Sequence, residues 1–275
     1  LTDPPKVFSF AEKRIMEIQK LNWAGLKLTS QNKTILIDAV EDYSYYKPVL
    51  GDAVENLIEF SDHVQADYIL FTNMHLDHFD KGVIRKCLKK GGKLIVYKGL
   101  EAVVRKILGE VEIIVLDLNE TFTENNITFK PAFAMDGVGE IQSSWIVDDG
   151  KTKIFHGGDT IWHNQFWKLG KENVNIDYAF LPVNGVVVNF EIIGLEYSPV
   201  PASLNLKEAF AAAHLLHARK LIPIHYGLFV HEKFYVPQVF DDQDLKDISE
   251  EVGQEYMILK DGAVLIESSN NRSEL

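Results

Sequence analysis

The chain has 275 residues, 46% hydrophobic and 25% charged, an ordinary balance for a folded protein with a sizeable core. Its formal charge of −12 counts against nucleic acid and anionic membrane surfaces as partners. A single cysteine, Cys87, excludes an intrachain disulfide and a cysteine-based zinc site, and no apolar run reaches the length of a membrane span.

Residues 14–40 read as short strands parted by turn residues. Ile15 and Ile18 precede Ala24-Gly25-Leu26-Lys27-Leu28, and an Asn32-Lys33 turn leads into Thr34-Ile-Leu-Ile-Asp38. This is an antiparallel, hairpin-type opening. A loop is expected over 41–50, its tyrosines packing on the body or lining a substrate mouth, and a helix over 53–61. Tyr68-Ile-Leu-Phe-Thr72 is a short apolar run of the buried-strand kind. The pattern then predicts an amphipathic helix over 82–90, with Cys87 in its core-facing stripe, stopped by Gly91-Gly92.

A strand at 93–97, a helix at 101–108 and a strand at 111–116 follow. Strands return over 121–147, flanking the Gly137-Val-Gly139 turn. Lys153-Ile-Phe-His156 reads as a strand, and Gly157-Gly158 as a tight turn that presents Asp159 at the start of a helix over 161–169. Residues 177–183 are a buried strand and 184–203 a long irregular connection, a type often given to function. Asn205 with Glu208 has capping-box spacing ahead of the Ala209, Phe210 and Ala213 stripe.

Leu221-Ile-Pro-Ile is one more apolar strand, ending on His225. A helix over 244–252 and a hairpin over 256–266, turning at Asp261-Gly262, close the pattern. No repeat or linker interrupts it, so one domain over 1–267 is expected, with 268–275 a disordered tail. No signal peptide is recognisable and a cytoplasmic protein is expected. The chain opens on Leu1 without an initiator Met, so trimming at that end is expected too. Nothing in the sequence fixes an oligomeric state.

The chemistry concentrates where the strand 68–72 runs into His75-x-Asp77-His78, three metal-ligand residues within four positions. Imidazole and carboxylate together suit zinc, iron or manganese, and a strand end holds them rigidly. His225 and Asp159 also follow apolar strands. Other histidines are placed around them. His156 is a candidate to hydrogen-bond a ligand from behind, and His163 and His231, with Tyr226, are candidates to reach substrate, packing being the commoner role for each. Trp162, Phe166 and Phe229 are candidates for the pocket walls; His63, His214 and His217 read as surface.

The ordered set His75-x-Asp77-His78, Gly158-Asp159-Thr160 and Pro223-Ile-His225, with Ile35-Leu-Ile-Asp38 before it, resembles the metallo-β-lactamase superfamily. It looks closest to the branch of ascorbate-6-phosphate lactonase-like and phospholipase D-like hydrolases. The resemblance runs from about residue 14 to 267. It implies an α/β fold, an αβ/βα sandwich of two mixed sheets flanked by helices, with metal at one sheet edge. It further implies that one ion is held by Asp77, His78, His225 and a bridging Asp159.

The resemblance also implies a second ion, and here the chain departs from the pattern. Asn73 stands where the motif's first His is expected, and Ala134 where a middle His is expected, leaving His75 with the bridge. Asp136, two residues beyond Ala134, is the available substitute. One ion, Zn2+ or Fe or Mn, is therefore expected rather than two. The implied activity is hydrolysis of an ester-like bond, a lactone or phosphodiester of a small-molecule substrate, with Asp77 and His75 assisting the attacking water. The rival expectation is a catalytically degenerate member of the fold that binds a ligand or metal.

Overall fold

A computed structural model describes residues 16–189, 191, 194 and 196–265. The expected tail at 268–275, Ile15 and the far end of the predicted hairpin lie outside the described residues. The antiparallel opening is present as β1 (Glu17–Lys20), β2 (Leu26–Ser30) and β3 (Lys33–Ile37). From β3 the sheet continues in parallel through β4 (Ala66–Leu70), β5 (Leu88–Tyr97) and β6 (Ile113–Leu116).

A second sheet starts as an antiparallel meander of β7 (Phe122–Glu124), β8 (Ile127–Phe133), β9 (Ser143–Asp148) and β10 (Lys153–His156). It turns parallel through β10, β11 (Tyr178–Pro182) and β13 (Lys220–Ile224). β12 (Val187–Val188) and β14 (Tyr235–Val236) pair as a small separate ribbon, and β15 (Val264–Leu265) returns to the edge of β1.

The two sheets face each other because each strand alternates its side chains. Tyr68 and Leu70 of β4 pack toward the second sheet, whereas Ile69 and the following Phe71 pack toward helices α2 (Lys81–Cys87) and α3 (Glu101–Leu108). In β11, Phe180 joins the core between the sheets, while Ala179 and Leu181 face α4 (Phe166–Glu172), α5 (Leu206–Leu215) and α6 (Asp242–Val252). Each fully buried side chain of this size contributes roughly 1.5–3 kcal/mol. The architecture is the expected αβ/βα sandwich. Among the described residues, no helix is long and apolar enough to cross a membrane.

Several local expectations are corrected. Residues 53–61 form no helix: Asn22 bonds both backbone groups of Ile58, and the Glu41 carboxylate accepts from the Phe60 and Ser61 N–H groups, so tertiary partners replace helical ones. The loop expected at 41–50 instead holds a short helix, α1 (Lys47–Leu50), with Pro48 in its first turn. α2 stops at Cys87, not Lys90, because Leu88 already pairs with Ala66. Gly91 and Gly92 belong to an irregular stretch of β5; a Cβ on Gly92 would lie 3.0 Å from the Ala66 carbonyl oxygen.

The helix expected from residue 161 begins at Phe166, since Ile161 N–H is bonded to the Met135 carbonyl and His163 Nδ1 accepts from Gln165 N–H. The predicted terminal hairpin is instead a strap: Tyr256 bridges to Leu221 in one sheet and Val264–Leu265 pair with β1 in the other. The Asp261-Gly262 turn is present, with Gly262 at φ +81°. The capping box of Asn205 and Glu208 is formed.

Candidate metal centre

Strand direction decides where the chemistry gathers. β3 and β4 are parallel, as are β10 and β13 through β11, and β8 runs with β10 because both are antiparallel to β9. The residues that follow these strands, Asp38, 72–78, 134–136, Asp159 and His225, therefore leave the sandwich along one edge. Trp23, in the turn between β1 and β2, reaches the same edge. Trp23, Asp38 and His225 all have left-handed backbones, at φ 59°, 46° and 60°. Such conformations in bulky residues are uncommon and cluster at functional sites.

At that edge Asp159 Oδ1 lies 2.7 Å from His78 Nε2 and 2.9 Å from His225 Nε2. Asp77 Oδ2 is 3.4 Å from His225 Nε2 and 3.7 Å from His78 Nε2. All four residues are buried. Yet His78 Nε2, His225 Nε2 and Asp159 Oδ1 have no hydrogen-bond partner among the described residues. Buried polar atoms without a partner are costly, and three converging on one point fit a bound cation. One potential ligand atom from each of Asp77, His78 and His225 lies within 4.8 Å of the others.

Each of these groups is held from behind. Asp38 Oδ2 lies 2.7 Å from His78 Nδ1, and Asp38 also accepts from Thr72 N–H and Oγ at 2.7 Å each. Trp23 Nε1 donates to Asp77 Oδ2 at 3.2 Å, and the Trp23 ring packs on His225 at 4.3 Å between centroids. Asp159 rides on a turn that requires glycine: Gly158 has φ +61°, and a Cβ there would meet Thr72 Oγ at 2.6 Å.

Charge follows the same pattern in the ion-free protein. Burial opposes ionisation of His78, but the carboxylates of Asp159, Asp38 and Asp77 outweigh it and push the imidazole pKa well up. Burial also works against the Asp159 carboxylate, whose pKa is nevertheless held well below its usual range by His78 and His225. His75 Nδ1 lies 3.1 Å from Asp159 Oδ2; against burial, that contact and its charge raise the His75 pKa to about 9. Burial pushes the Asp136 carboxyl up.

The groups open into a cavity of about 270 Å³, also lined by His75, Asp136, Glu140, Tyr46, Tyr235 and several valines. The Beta-lactamase superfamily domain matches residues 33–226, a stretch that includes Asp38, the His75-x-Asp77-His78 loop, Asp159 and His225. The chain belongs to the beta-lactamase superfamily. Within it, a protein of Thermus thermophilus described as a UPF0173 metal-dependent hydrolase is 29% identical over 91% of this chain and 99% of its own length. A Bacillus velezensis protein with the same description is 28% identical over 65% of this chain and 75% of its own.

Solved structures agree on the fold. Igni18, a metallo hydrolase from Ignicoccus hospitalis, superposes with a TM-score of 0.67 at 15% identity, covering 92% of this chain and 98% of that one. An isothiocyanate hydrolase from Delia radicum gut bacteria gives a TM-score of 0.69 at 18% identity, covering 92% and 100%.

Against the superfamily pattern, the structure brings His75, Asp77, His78, Asp159 and His225 together and adds Asp136 beside them. Asn73 points its amide nitrogen at Asp159 Oδ2, 3.2 Å away, and its oxygen accepts from His75 N–H, so it orients both neighbours. His156 meets no candidate ligand through a hydrogen bond. Its Nε2 contacts the Ala24 carbonyl and its Nδ1 accepts from Gly158 N–H, bracing the turn beneath Asp159.

The other candidate substrate contacts take the packing role instead. His163 stacks on Phe166 in the helical layer, 3.9 Å between ring centroids. Tyr226 packs on Phe240 beside a separate cavity, and His231 bonds the backbone of its own loop. Trp162, Phe166 and Phe229 pack on the core and do not line the site. The aromatic walls are Tyr46 and Tyr235. Tyr46 came from the tyrosine run singled out in the sequence; Trp23 is 54 residues from its partner Asp77 and gives no local signal. Asp38 carried a readable one, an apolar strand ending on a carboxylate, as the ligand-bearing strands do.

Proposed function

We propose that this chain is a metal-dependent hydrolase of an ester-like bond, holding a divalent ion on Asp77, His78, Asp159 and His225. The observation that carries the reading is the convergence of buried His78 Nε2 and His225 Nε2 on Asp159 Oδ1, at 2.7 and 2.9 Å, without a hydrogen bond to any described residue. Relatives described as metal-dependent hydrolases support it. Two imidazoles and two carboxylates are a donor set that zinc, iron and manganese all accept. Such an ion, when bound, supplies Lewis acidity toward a substrate oxygen and toward the attacking water.

The chain's own residues would do the rest. Asp77, fixed by Trp23 Nε1, orients the attacking water and accepts its proton at the carboxylate. Tyr46 stays protonated, its pKa raised to about 12 by burial and then by the nearby Asp77 charge. It lines the cavity as a donor for a substrate oxygen that gains charge. His75 flanks Asp159 on the same wall.

The lining also bears on substrate. Val49, Leu50, Val138, Val186, Val188 and Ala202 make it apolar, and Asp77, Asp136, Glu140 and Asp159 make it acidic. Among the described lining residues there is no Lys or Arg to meet a phosphodiester anion. This favours the lactone or carboxylic ester arm of the resemblance over the phosphodiester arm. About 270 Å³ suits a small acyl group.

The test is hydrolysis of a γ-lactone, p-nitrophenyl butyrate and bis-p-nitrophenyl phosphate by protein loaded with zinc or manganese. Turnover of the uncharged substrates, lost by at least about a hundredfold in Asp159→Ala, is expected. A loaded protein that turns over none of them overturns the hydrolase and favours the degenerate, ligand-binding alternative, to which the replacement of histidines by Asn73 and Ala134 points.

A further inference from the structure

The long connection at 184–203 and β14 supply part of the cavity wall, and three polar side chains there form a hydrogen-bonded chain. Ser203 Oγ donates to Asn184 Oδ1 at 2.6 Å, and Asn184 Nδ2 donates to the Tyr235 hydroxyl oxygen at 2.8 Å. All three residues are buried, and Ser203 and Tyr235 line the cavity. A hydroxyl carries one hydrogen, and an amide offers an acceptor at one end and a donor at the other. The Ser203 hydrogen is therefore used on Asn184. Tyr235 has accepted rather than donated, so its own hydrogen is left over, and no described residue takes it.

The chain is held in place by backbone pairing. Tyr235 pairs with Val188 across the small ribbon and exchanges backbone hydrogen bonds with His231. Gly185 N–H donates to the Leu204 carbonyl and Ala202 N–H to that of Val186, which ties 184–186 to 202–204. Gly185 permits that approach: its φ is +48°, and a Cβ there would lie 2.7 Å from Asn205 Cβ. Leu204 N–H donates to the carbonyl of Thr160, next to Asp159. The Tyr235 ring lies 6.3 Å from the Trp23 ring, which backs Asp77 and His225. Both ends of the chain are thus fixed to segments that carry or support the candidate ligands.

A buried hydroxyl hydrogen without an acceptor is costly unless something in the cavity receives it. Burial, then the charges of Asp77 and Asp159, hold the Tyr235 pKa well above its usual value, so the phenol remains a donor. Such a donor contributes most where charge develops on an oxygen in a site shielded from water.

We propose that Tyr235 is a catalytic residue that donates this hydrogen bond to the carbonyl oxygen of an acyl substrate. Asn184 and Ser203 are the positioning residues that keep it a donor. The proposal rests on the hydrolase reading and deepens it. As the water oxygen bonds to the acyl carbon, its proton passes to Asp77 and the C=O π pair moves onto the carbonyl oxygen. Tyr235 keeps its proton and stabilises that oxygen.

The test is steady-state hydrolysis of p-nitrophenyl butyrate by metal-loaded full-length protein, with calorimetric binding of trifluoromethyl butyl ketone, whose hydrate mimics the tetrahedral adduct. Tyr235→Phe is expected to lower kcat and weaken the ketone by about a hundredfold each, with KM and retained metal unchanged. Ser203→Ala frees Asn184 Oδ1, so the amide can turn and take the Tyr235 hydrogen. It is expected to lower kcat by about tenfold, and to add nothing to the loss already caused by Tyr235→Phe in the double variant. A merely structural role would instead reduce retained metal or raise KM. Should Tyr235→Phe fail to fold, Ser203→Ala carries the test, and an unchanged kcat in it overturns the proposal. Unchanged kcat and ketone binding in Tyr235→Phe, or losses that multiply in the double variant, overturn the proposal while the hydrolase reading stands. A loaded wild type that hydrolyses no ester overturns the hydrolase reading and the proposal with it.

Discussion

On the Oδ1 side of Asp159, the partners are clamped. His78 is backed by Asp38, Asp77 by the Trp23 indole, and His225 by the Trp23 ring, all beneath the surface. On the Oδ2 side the partners are looser. The His75 side chain is 23% exposed, and Asp136 is held through backbone N–H groups of its own turn. The clamped side is built from residues far apart in sequence and locked by packing. The looser side depends on a loop and a turn that can trade one ligand type for another. That contrast explains how a chain can lack two expected histidines and still bring the other expected ligands, His75, Asp77, His78, Asp159 and His225, to one edge.

The sharpest way to break the comparison is to remove a clamp. Asp38→Asn keeps the volume but withdraws the charge behind His78, and should weaken the ion on the Oδ1 side by about 10- to 100-fold. Isothermal titration of the ion should show that loss. An Asp38→Asn protein with unchanged affinity would mean that the clamp is ornamental.

The looser side should respond to pH. In the ion-free protein, His75 rises from 6.5 to about 9 because the Asp159 contact and charge exceed the opposing burial. A pKa raised by folding stabilises fully below the unfolded value of 6.5, and that contribution disappears as pH climbs through about 9. The stability of chelator-treated protein, and its thermal midpoint with it, should therefore fall between those limits, the stability by an amount on the order of 2 kcal/mol. His75→Gln should flatten that part of the curve; a midpoint that climbs instead would refute the assignment.

An effect of opposite sign belongs to His163, remote from both sides. Burial lowers its pKa to about 4, so it stays neutral in the fold while the unfolded chain takes up a proton near 6.5. Its penalty grows as pH falls from 6.5 toward 4. His163→Phe should retain more of its stability in acid than the wild type, with metal content unchanged, as calorimetry and metal analysis would report.

Much of this protein is determined locally. Continuous apolar runs such as Tyr68 to Leu70 and Tyr178 to Pro182 specify buried strands, the Asn205 and Glu208 capping box starts a helix, and ligand-type residues after apolar strands mark the edge that matters. Backbone patterning and side-chain chemistry of this kind are written within a few residues of one another. Segments whose hydrogen bonds are met at long range depart from their local pattern. Residues 53–61 lost their helix to Asn22 and Glu41, and 256–266 became a strap because its ends pair with different sheets.

The candidate site divides the same way. His75, Asp77, His78, Asp159 and His225 can be picked out by residue type and position. Their supports cannot, because Trp23 meets Asp77 and Asp38 meets His78 only once two sheets have stacked and five strand ends share an edge. The same stacking buries Asp136 next to Asp159 and carries His163, Tyr226 and His231 away from the cavity. Sequence decides which atoms are on offer; the sandwich decides which of them meet, since contact across the chain is a matter of strand direction and packing rather than spacing.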